Sequence, residues 1–396
     1  MTTSRAIAWS IWIIGSIFYA YQYIIRVIPS IMLPELMEQF HIDSAIFGQF
    51  SGVYYIGYSL IHLPMGIALD RYGPRKVMSL SILLTVIGLL PILFSDNWIY
   101  AVIGRAIIGM GSAAAILGTF KIIRMSFSEQ HFTRMLTISV SIGLIGAIYG
   151  GGPVSYMSSI IGYKLVVEIF AIIGVILALI TYFMVPEIRS ENHNTILSSL
   201  KIVFTNGKVI MLCCFAGLMV GPLEGFADIW GAQFLKQTYG FDTATSSYLP
   251  SMIFIGMCFG APVLGLIAEK TGSYIGSIIG AGIIMLGIFV ALVAGILSVN
   301  SITLGFILVG VCSAYQIVAI YKVSTYVPDS VTGLTNAVAN MIIMSFGYGF
   351  HSAIGFIINK FGSYNYGISV IPATLAIGII GFISFAFYEK SNRVKG

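Results

Sequence analysis

Four polar side chains recur on one face of an otherwise apolar stretch near the start of the chain. Tyr19, Gln22, Tyr23 and Arg26 lie three or four residues apart, which places them together if the stretch is a helix. A guanidinium group binds carboxylate or phosphate through two parallel hydrogen bonds. We therefore predict that Arg26 lines a cavity and holds an anionic substrate, with the other three beside it. The alternative is that Arg26 extends its charge to a membrane interface.

Two acidic residues, Glu224 and Asp228, share a face of a later apolar stretch that also contains Pro222 between two glycines. The carboxylates repel each other, and burial disfavours the charged form of each. One of them could therefore hold a proton, and we predict that this pair couples proton movement or gates the site. Pro222 predicts a kink or break in the helix. The alternative is that Asp228 only caps the outer end of the helix.

Further polar residues interrupt apolar stretches. His62 and His351 are candidates for proton coupling, although a lone intramembrane histidine often makes only a structural hydrogen bond. The remaining candidates for substrate contact are the polar side chains Tyr54, Tyr58, Tyr315, Gln316 and Asn340.

The composition requires a lipid-exposed surface. Of the 396 residues, 58% are hydrophobic and 9% are charged, whereas soluble domains carry about 25% charged residues. The net charge of +5 needs no nucleic acid to explain it. No phosphate-binding loop, nucleophile motif or metal cluster is visible, so we expect no enzyme activity, no metal and no cofactor. The cysteines lie in apolar segments, which argues against disulfides: Cys213, Cys214, Cys258 and Cys312.

Apolar runs of spanning length predict an all-α membrane protein with twelve transmembrane helices. The expected helices are residues 6–33, 43–70, 75–95, 97–126, 131–160, 163–186, 207–238, 241–269, 273–298, 299–326, 330–360 and 363–389. With the N-terminus inside, the outer side receives only Lys164, Lys236 and Lys360, while fifteen other basic residues fall on the inner side. This asymmetry predicts that both termini are cytoplasmic. The predicted location is a bacterial inner membrane.

The loop Gly66–Lys76 packs one acid, three bases and two helix-breaking residues between two apolar segments. It resembles the loop between helices 2 and 3 of the major facilitator superfamily, a family of membrane transporters. The matching residues are Gly66, Asp70, Arg71, Gly73, Arg75 and Lys76, while Pro74 is an insertion. The resemblance implies a conformational latch centred on Asp70. The alternative is an anchor that only fixes the two helices.

Arg105, followed by Gly109 and Gly111, is similar to the family's motif in helix 4. A charge at the centre of a spanning helix costs about 2.5–3.5 kcal/mol on insertion scales, so it needs a partner or water. Two roles stay open for Arg105. It either bonds backbone carbonyls of helix 1 as a structural residue or takes a direct part in coupling.

The chain contains an internal repeat. Gly265–Gly272 echoes Gly66–Gly73 at an offset of 199 residues, so that Glu269 corresponds to Asp70 and Lys270 to Arg71. We include Glu269 and Lys270 in the predicted latch. The repeat implies two parallel six-helix bundles, residues 1–186 and 207–396. A polar cytoplasmic linker, 187–206, joins them and is expected to contain a short helix from Ile196 to Phe204.

The same offset carries position 26 to position 225, between Glu224 and Asp228. The base on helix 1 and the acids on helix 7 therefore occupy pseudo-equivalent places in the two halves. The hypothesis is that they pair when the outer side closes, and that substrate or a proton competes with this pairing.

These features together predict a secondary active transporter that works by alternating access. The favoured function is proton-coupled symport of a small polar or anionic metabolite, such as a carboxylate or amino acid, by a monomer in the lipid bilayer. One alternative is a proton-coupled efflux antiporter for drugs or metabolites. Another is a membrane sensor or receptor that does not transport.

Overall fold

The computed structural model describes residues 5–186, 196–328 and 331–394. Every regular element in these residues is a helix. Eleven segments are long and apolar enough to cross a membrane. One of them, Ser44–Phe94, has 51 residues and is interrupted at Gly73, whose φ is +79°. Because the interruption divides this segment into two spans, the described chain agrees with the predicted twelve helices.

The first half contains six helices: α1 Arg5–Ile31, α2 Leu33–Phe40, α3 Ser44–Phe94, α4 Trp98–Ser126, α5 Glu129–Ile161 and α6 Tyr163–Met184. The short helix α2 was not predicted. It forms because Pro34 lies at its first turn, where a missing N–H costs no hydrogen bond. Its apolar residues at helical spacing then bury one face: Leu33, Leu36 and Phe40.

Helices α3 and α4 approach each other backbone to backbone. A Cβ atom on Gly109 of α4 would overlap the carbonyl oxygen of Tyr54, and one on Gly57 of α3 would overlap that of Ala106. Small residues at both positions let the two helices come this close. The approach brings the turn of α3 that carries Tyr54 against the turn of α4 that carries Arg105.

The second half contains α7 Ile196–Thr205, α8 Gly207–Gly217, a π-helix Gly221–Trp230, α9 Gly231–Tyr239, α10 Thr243–Tyr248, α11 Ser251–Thr271, α12 Tyr274–Val293, α13 Val299–Ser313, α14 Tyr315–Ser324, α15 Thr332–Phe361, α16 Tyr364–Ile368 and α17 Val370–Val394. The predicted short helix from Ile196 is confirmed and ends one residue later, at Thr205. Several spans predicted as single helices consist of two or three consecutive pieces. Helices α8, the π-helix and α9 together make the span predicted as 207–238.

An aspartate starts the short helix α10. The Asp242 carboxylate accepts a hydrogen bond from the backbone N–H of Thr245 at 2.9 Å. This bond and one from the Thr245 hydroxyl lower the pKa of the Asp242 carboxyl, because both favour its charged form. The cap ends the preceding turn and begins the next span.

The described residues form two compact units, one ending before residue 187 and the other starting at residue 196. Each unit has its own buried core: Phe18, Phe47 and Ile82 are fully buried in the first, and Phe254, Phe289 and Phe306 in the second. Residues 187–195, which make up most of the predicted linker 187–206, lie outside the described chain. The predicted bundle boundaries stay a prediction.

Candidate functional site

The polar face of α1 meets tyrosines of α3 inside the first unit. The rings of Tyr19 and Tyr23 lie 5.3 Å apart between centroids. The Arg26 guanidinium carbon lies 5.1 Å from the ring centre of Tyr23 and 5.2 Å from that of Tyr55. Only 6% of Arg26 is exposed. Arg26 is therefore enclosed by neighbouring side chains, and its role as a cavity residue stays a prediction.

A second polar contact joins the same two helices. The Tyr54 hydroxyl on α3 donates a hydrogen bond to the Gln22 side-chain oxygen on α1 at 2.9 Å, and both residues are buried. The Tyr54 and Tyr58 rings stack at 6.3 Å, and the Tyr58 ring lies 5.1 Å from the His62 ring. Tyr54, Tyr58 and His62 therefore share one face of α3.

His62 ends this column of rings. It is 4% exposed, and its Nδ1 atom has no hydrogen-bond partner among the described residues. A buried nitrogen without a partner costs stability.

Arg105 holds the turn of α1 that carries Arg26. Its Nη1 donates to the carbonyl oxygen of Ile25 at 2.8 Å, and its Nη2 donates to that of Arg26 at 2.5 Å. The Ile25 carbonyl would normally bond the N–H of residue 29, but Pro29 lies inside α1 and has no N–H. Arg105 therefore supplies the donor that the proline removes. Of the two roles left open by the sequence, the structural one is present in the geometry.

The elements around Arg26 and Arg105 carry little negative charge. Helices α1 and α4 contain no aspartate or glutamate, and the only one in α3 is Asp70. The Arg105 guanidinium also lies over the Tyr54 ring, at 4.9 Å from its centre, so the electron-rich faces of three tyrosines meet two cations.

The acidic pair of the second unit lies in the π-helix Gly221–Trp230. Glu224 and Asp228 are each 1% exposed. Between them, Phe226 packs into an aromatic cluster with centroid distances of 5.2–5.8 Å to Phe289, Phe306 and Phe234. This packing fixes the orientation of the turn that carries both acids.

Two glycines of the π-helix allow close packing against α15. A Cβ on Gly221 would collide with the ring of Phe350 on α15, and one on Gly225 would press against the same residue. The sequence pattern predicted a kink at Pro222, and the chain indeed leaves the α-helix over residues 218–220. The wide π turn was missed, because i→i+5 hydrogen bonding leaves no distinct periodic signal in ten residues.

The other candidates of the second unit lie on α14 and α15. The Tyr315 hydroxyl donates to the carbonyl oxygen of Ala216 at 2.6 Å and thereby stabilises the end of α8. Gln316 is 5% exposed, and its Nε2 atom has no hydrogen-bond partner among the described residues. Asn340 is half-buried on α15, and His351 on the same helix is fully buried.

The loop predicted to act as a latch takes part in an ion pair with α4. Asp70 at the end of the first arm of α3 accepts from Lys121 of α4 at 2.5 Å. Arg71 lies over the ring of Tyr72, and Arg75 lies 4.4 Å from the ring centre of Tyr182 on α6. Gly66 has open space around it, and Gly73 provides the left-handed turn between the two arms.

The repeat of this loop has a similar turn but different partners. Gly272, the counterpart of Gly73, also has a positive φ, +62°. Glu269 and Lys270 are exposed at the end of α11. The lysine of α14, Lys322, pairs with Glu389 of α17 at 3.4 Å. In the first unit the corresponding helix is α4, and its Lys121 pairs with Asp70 of the loop.

Known proteins share this sequence pattern and fold. The family described as Major Facilitator Superfamily matches residues 12–350. A nitrite extrusion protein of Bacillus subtilis is 19% identical over 328 residues, which are 80% of this chain and 79% of that protein. The quinolone resistance protein NorB of Staphylococcus aureus is 28% identical over 171 residues, 41% of this chain and 35% of NorB.

Two solved structures resemble the whole chain. A bacterial homologue of the human lysosomal transporter Spinster, in an inward-facing and occupied conformation, has a TM-score of 0.74 at 17% identity and covers 99% of this chain and 98% of its own. The nucleoside transporter NupG has a TM-score of 0.79 at 15% identity, with 94% and 99% covered. At these identities the likeness shows a common fold.

Replacing Arg105 by Gln should destabilise the protein by about 3 kcal/mol, since hydrogen bonds to charged groups contribute about 1.5–3 kcal/mol each. The loss should be smaller in a Pro29→Ala background, because the new backbone N–H at position 29 can bond the Ile25 carbonyl. Thermal unfolding of the purified variants, followed by tryptophan fluorescence, measures both effects. Equal losses in the two backgrounds would show that the proline does not create the need for Arg105.

Proposed function

Because the chain belongs to the major facilitator superfamily, we propose that it is a secondary transporter that moves a small anionic or polar metabolite by alternating access, in symport with protons. The membrane location that fits this function is a bacterial inner membrane. The excess of basic residues on the predicted inner loops supports cytoplasmic termini.

The observation that carries the proposal is the enclosed Arg26 guanidinium. It lies between the rings of Tyr23 and Tyr55, and a second guanidinium, that of Arg105, holds its backbone. Arg26 would bind a substrate carboxylate or another small planar anion through two hydrogen bonds, with Gln22, Tyr19 and Tyr58 as polar neighbours.

One relative supports an anionic substrate for this chain, although its name does not identify which anion this chain would move. Nitrite, which gives the Bacillus subtilis relative its name, is a small planar anion of the kind that a guanidinium binds in two-point fashion. Carboxylates, amino acids and phosphate esters present a similar group. We therefore propose the class of substrate by this shared chemistry.

Proton coupling is assigned to the buried ionisable groups. Glu224 and Asp228 lie one turn apart and are almost fully buried. Buried ionisable groups in membrane spans commonly mark proton pathways, and two carboxylates lie on this one turn. His62 and His351 are further candidates for the same reason.

Export is the second candidate. The likeness to NorB, a quinolone resistance protein, covers 171 residues. A buried acidic pair would suit a cationic compound, which the Arg26 site would repel. The direction of transport distinguishes the two functions.

Uptake into liposomes tests the proposal. An inward proton gradient should accelerate the uptake of at least one anion in a panel of nitrite, lactate, glutamate and glucose 6-phosphate. Arg26→Gln should lower the kcat/KM of that uptake by at least about ten-fold, since a charge-assisted hydrogen bond contributes about 1.5–3 kcal/mol. The matched control is Arg124→Gln, because Arg124 is exposed near the end of α4.

Three outcomes would contradict parts of this proposal. Uptake that ignores the proton gradient would identify a uniporter. Proton-driven movement of quinolones in the opposite direction would identify an antiporter. Equal kcat/KM values for Arg26→Gln and Arg124→Gln would remove Arg26 from the site.

The Gly66–Arg75 loop is proposed to act as the conformational latch, together with Glu269 and Lys270. The Asp70 side chain is 60% exposed in its pair with Lys121, so the pair stabilises the fold by only about 0.2–1 kcal/mol. Asp70→Asn should therefore shift the unfolding midpoint by less than about 3 °C but lower the transport rate at least about ten-fold. If the transport rate of Asp70→Asn stays within about two-fold of the wild type, the loop would be only an anchor.

A further inference from the structure

One cavity of the second unit opens at the ends of its helices. It has a volume of about 340 Å³ and lies between the start of α12, the end of α14 and the end of α17. Its polar lining comprises Ser273, Tyr274, Lys322, Glu389 and Lys390. None of these residues belongs to the sites assigned above to substrate, proton or latch.

In the first unit, the side chain of Arg75 occupies the corresponding place. There, Arg75 follows the left-handed Gly73 and covers the ring of Tyr182 on α6, the last helix of that unit. At the offset of 199 residues, Tyr274 takes the position of Arg75. Its ring packs instead against that of Tyr321, with 4.9 Å between the ring centroids. The second unit therefore lacks the guanidinium, and the space next to its last helix, α17, stays open.

The charges that line the cavity favour an anion. The Glu389 carboxylate is already engaged, because Lys322 donates to it at 3.4 Å and the Tyr326 hydroxyl at 2.9 Å. Lys390 is exposed at the rim. Two ammonium groups against one carboxylate leave a net charge of +1.

The first turn of α12 adds hydrogen-bond donors to these lysines. Ser273 caps only the N–H of Gly276, at 3.2 Å. The N–H groups of Tyr274 and Ile275 have no partner within the helix, as at every helix start. The donors and the lysines therefore converge on the same cavity.

The surface beside the cavity is apolar. Phe387 and Tyr388, which precede the lining residues Glu389 and Lys390, are 70% and 51% exposed. Ile283 and Ile284 on α12 are also exposed. In a membrane protein such surfaces contact acyl chains, so a positively charged cavity adjoins a surface for lipid tails.

We propose that this cavity binds the phosphate group of an anionic phospholipid. Lys322 and Lys390 contact the phosphate oxygens, the first turn of α12 donates backbone hydrogen bonds, and the acyl chains lie along Phe387. Basic pockets between helix ends are suited to such head groups. The assignment to the cytoplasmic leaflet rests on the orientation proposed above, but the binding itself does not depend on transport.

Lipid retention on the purified protein tests the site independently of any transport activity. The protein in detergent is mixed with equal amounts of phosphatidylglycerol and phosphatidylcholine, and bound lipids are counted by native mass spectrometry. The wild type should retain phosphatidylglycerol preferentially. Lys390→Gln and Lys322→Gln should each reduce its bound fraction at least about five-fold, corresponding to about 1 kcal/mol per charge.

The matched control is Lys360→Gln, an exposed lysine at the end of α15, which should retain phosphatidylglycerol as the wild type does. Lys322→Gln also removes the ion pair with Glu389 and could impair folding for that reason. In that case Lys390→Gln alone decides the test. Equal retention of both lipids, or undiminished phosphatidylglycerol in Lys390→Gln, would overturn the proposal. If inorganic phosphate alone stabilises the wild type but not Lys390→Gln, the phosphate bound in the cavity would not come from a lipid, and the cavity would be assigned to a soluble phosphate.

Discussion

The donation of two hydrogen bonds from Arg105 to the backbone of α1 is the constraint on which the candidate site depends. Pro29 removes one bond of the helix, and the Arg105 guanidinium replaces it from the neighbouring helix α4. This single contact satisfies a buried cation and an orphaned carbonyl, each of which would otherwise be costly in a membrane. It also fixes the turn from which Arg26 reaches the rings of Tyr23 and Tyr55.

The two units share a repeat but stabilise their polar groups differently. The first unit holds two buried arginines against tyrosine rings and backbone oxygens. The second holds a pair of acids on a π-helix, which the aromatic cluster around Phe226 keeps in orientation. Both repeats place a glycine with positive φ at this point, Gly73 and Gly272, while the polar groups inside the two units differ. Under the proposed function, the first unit would select the anion and the second would respond to protons.

Much of this organisation could be predicted from the sequence, because apolar length and charge placement dominate in a membrane protein. Helical spacing predicted that Gln22 and Arg26 share a face of the first helix, and such spacing holds wherever the helix is regular. The π-helix depends on packing against distant segments, which periodicity does not encode. Bonding from Arg105 to backbone carbonyls of helix 1 was one of the two roles left open by the sequence, but the particular carbonyls depend on packing between segments about 80 residues apart. Tyr315 shows the same limit, since its hydroxyl bonds a backbone carbonyl of α8. The short helix α2 was missed because its eight residues are too few to be recognised as a membrane-spanning segment.

Cysteine accessibility tests most directly whether Arg26 faces a water-accessible site inside the protein. The four native cysteines are first replaced by serine, and single cysteines are then introduced as Arg26→Cys and as Ile17→Cys, the latter at a position of α1 that is 46% exposed. A membrane-impermeant methanethiosulfonate reagent, which reacts with thiolates in water, should modify Arg26→Cys at least about ten-fold faster than Ile17→Cys, because lipid shields position 17. An Arg26→Cys variant that folds but reacts no faster than Ile17→Cys would contradict the account.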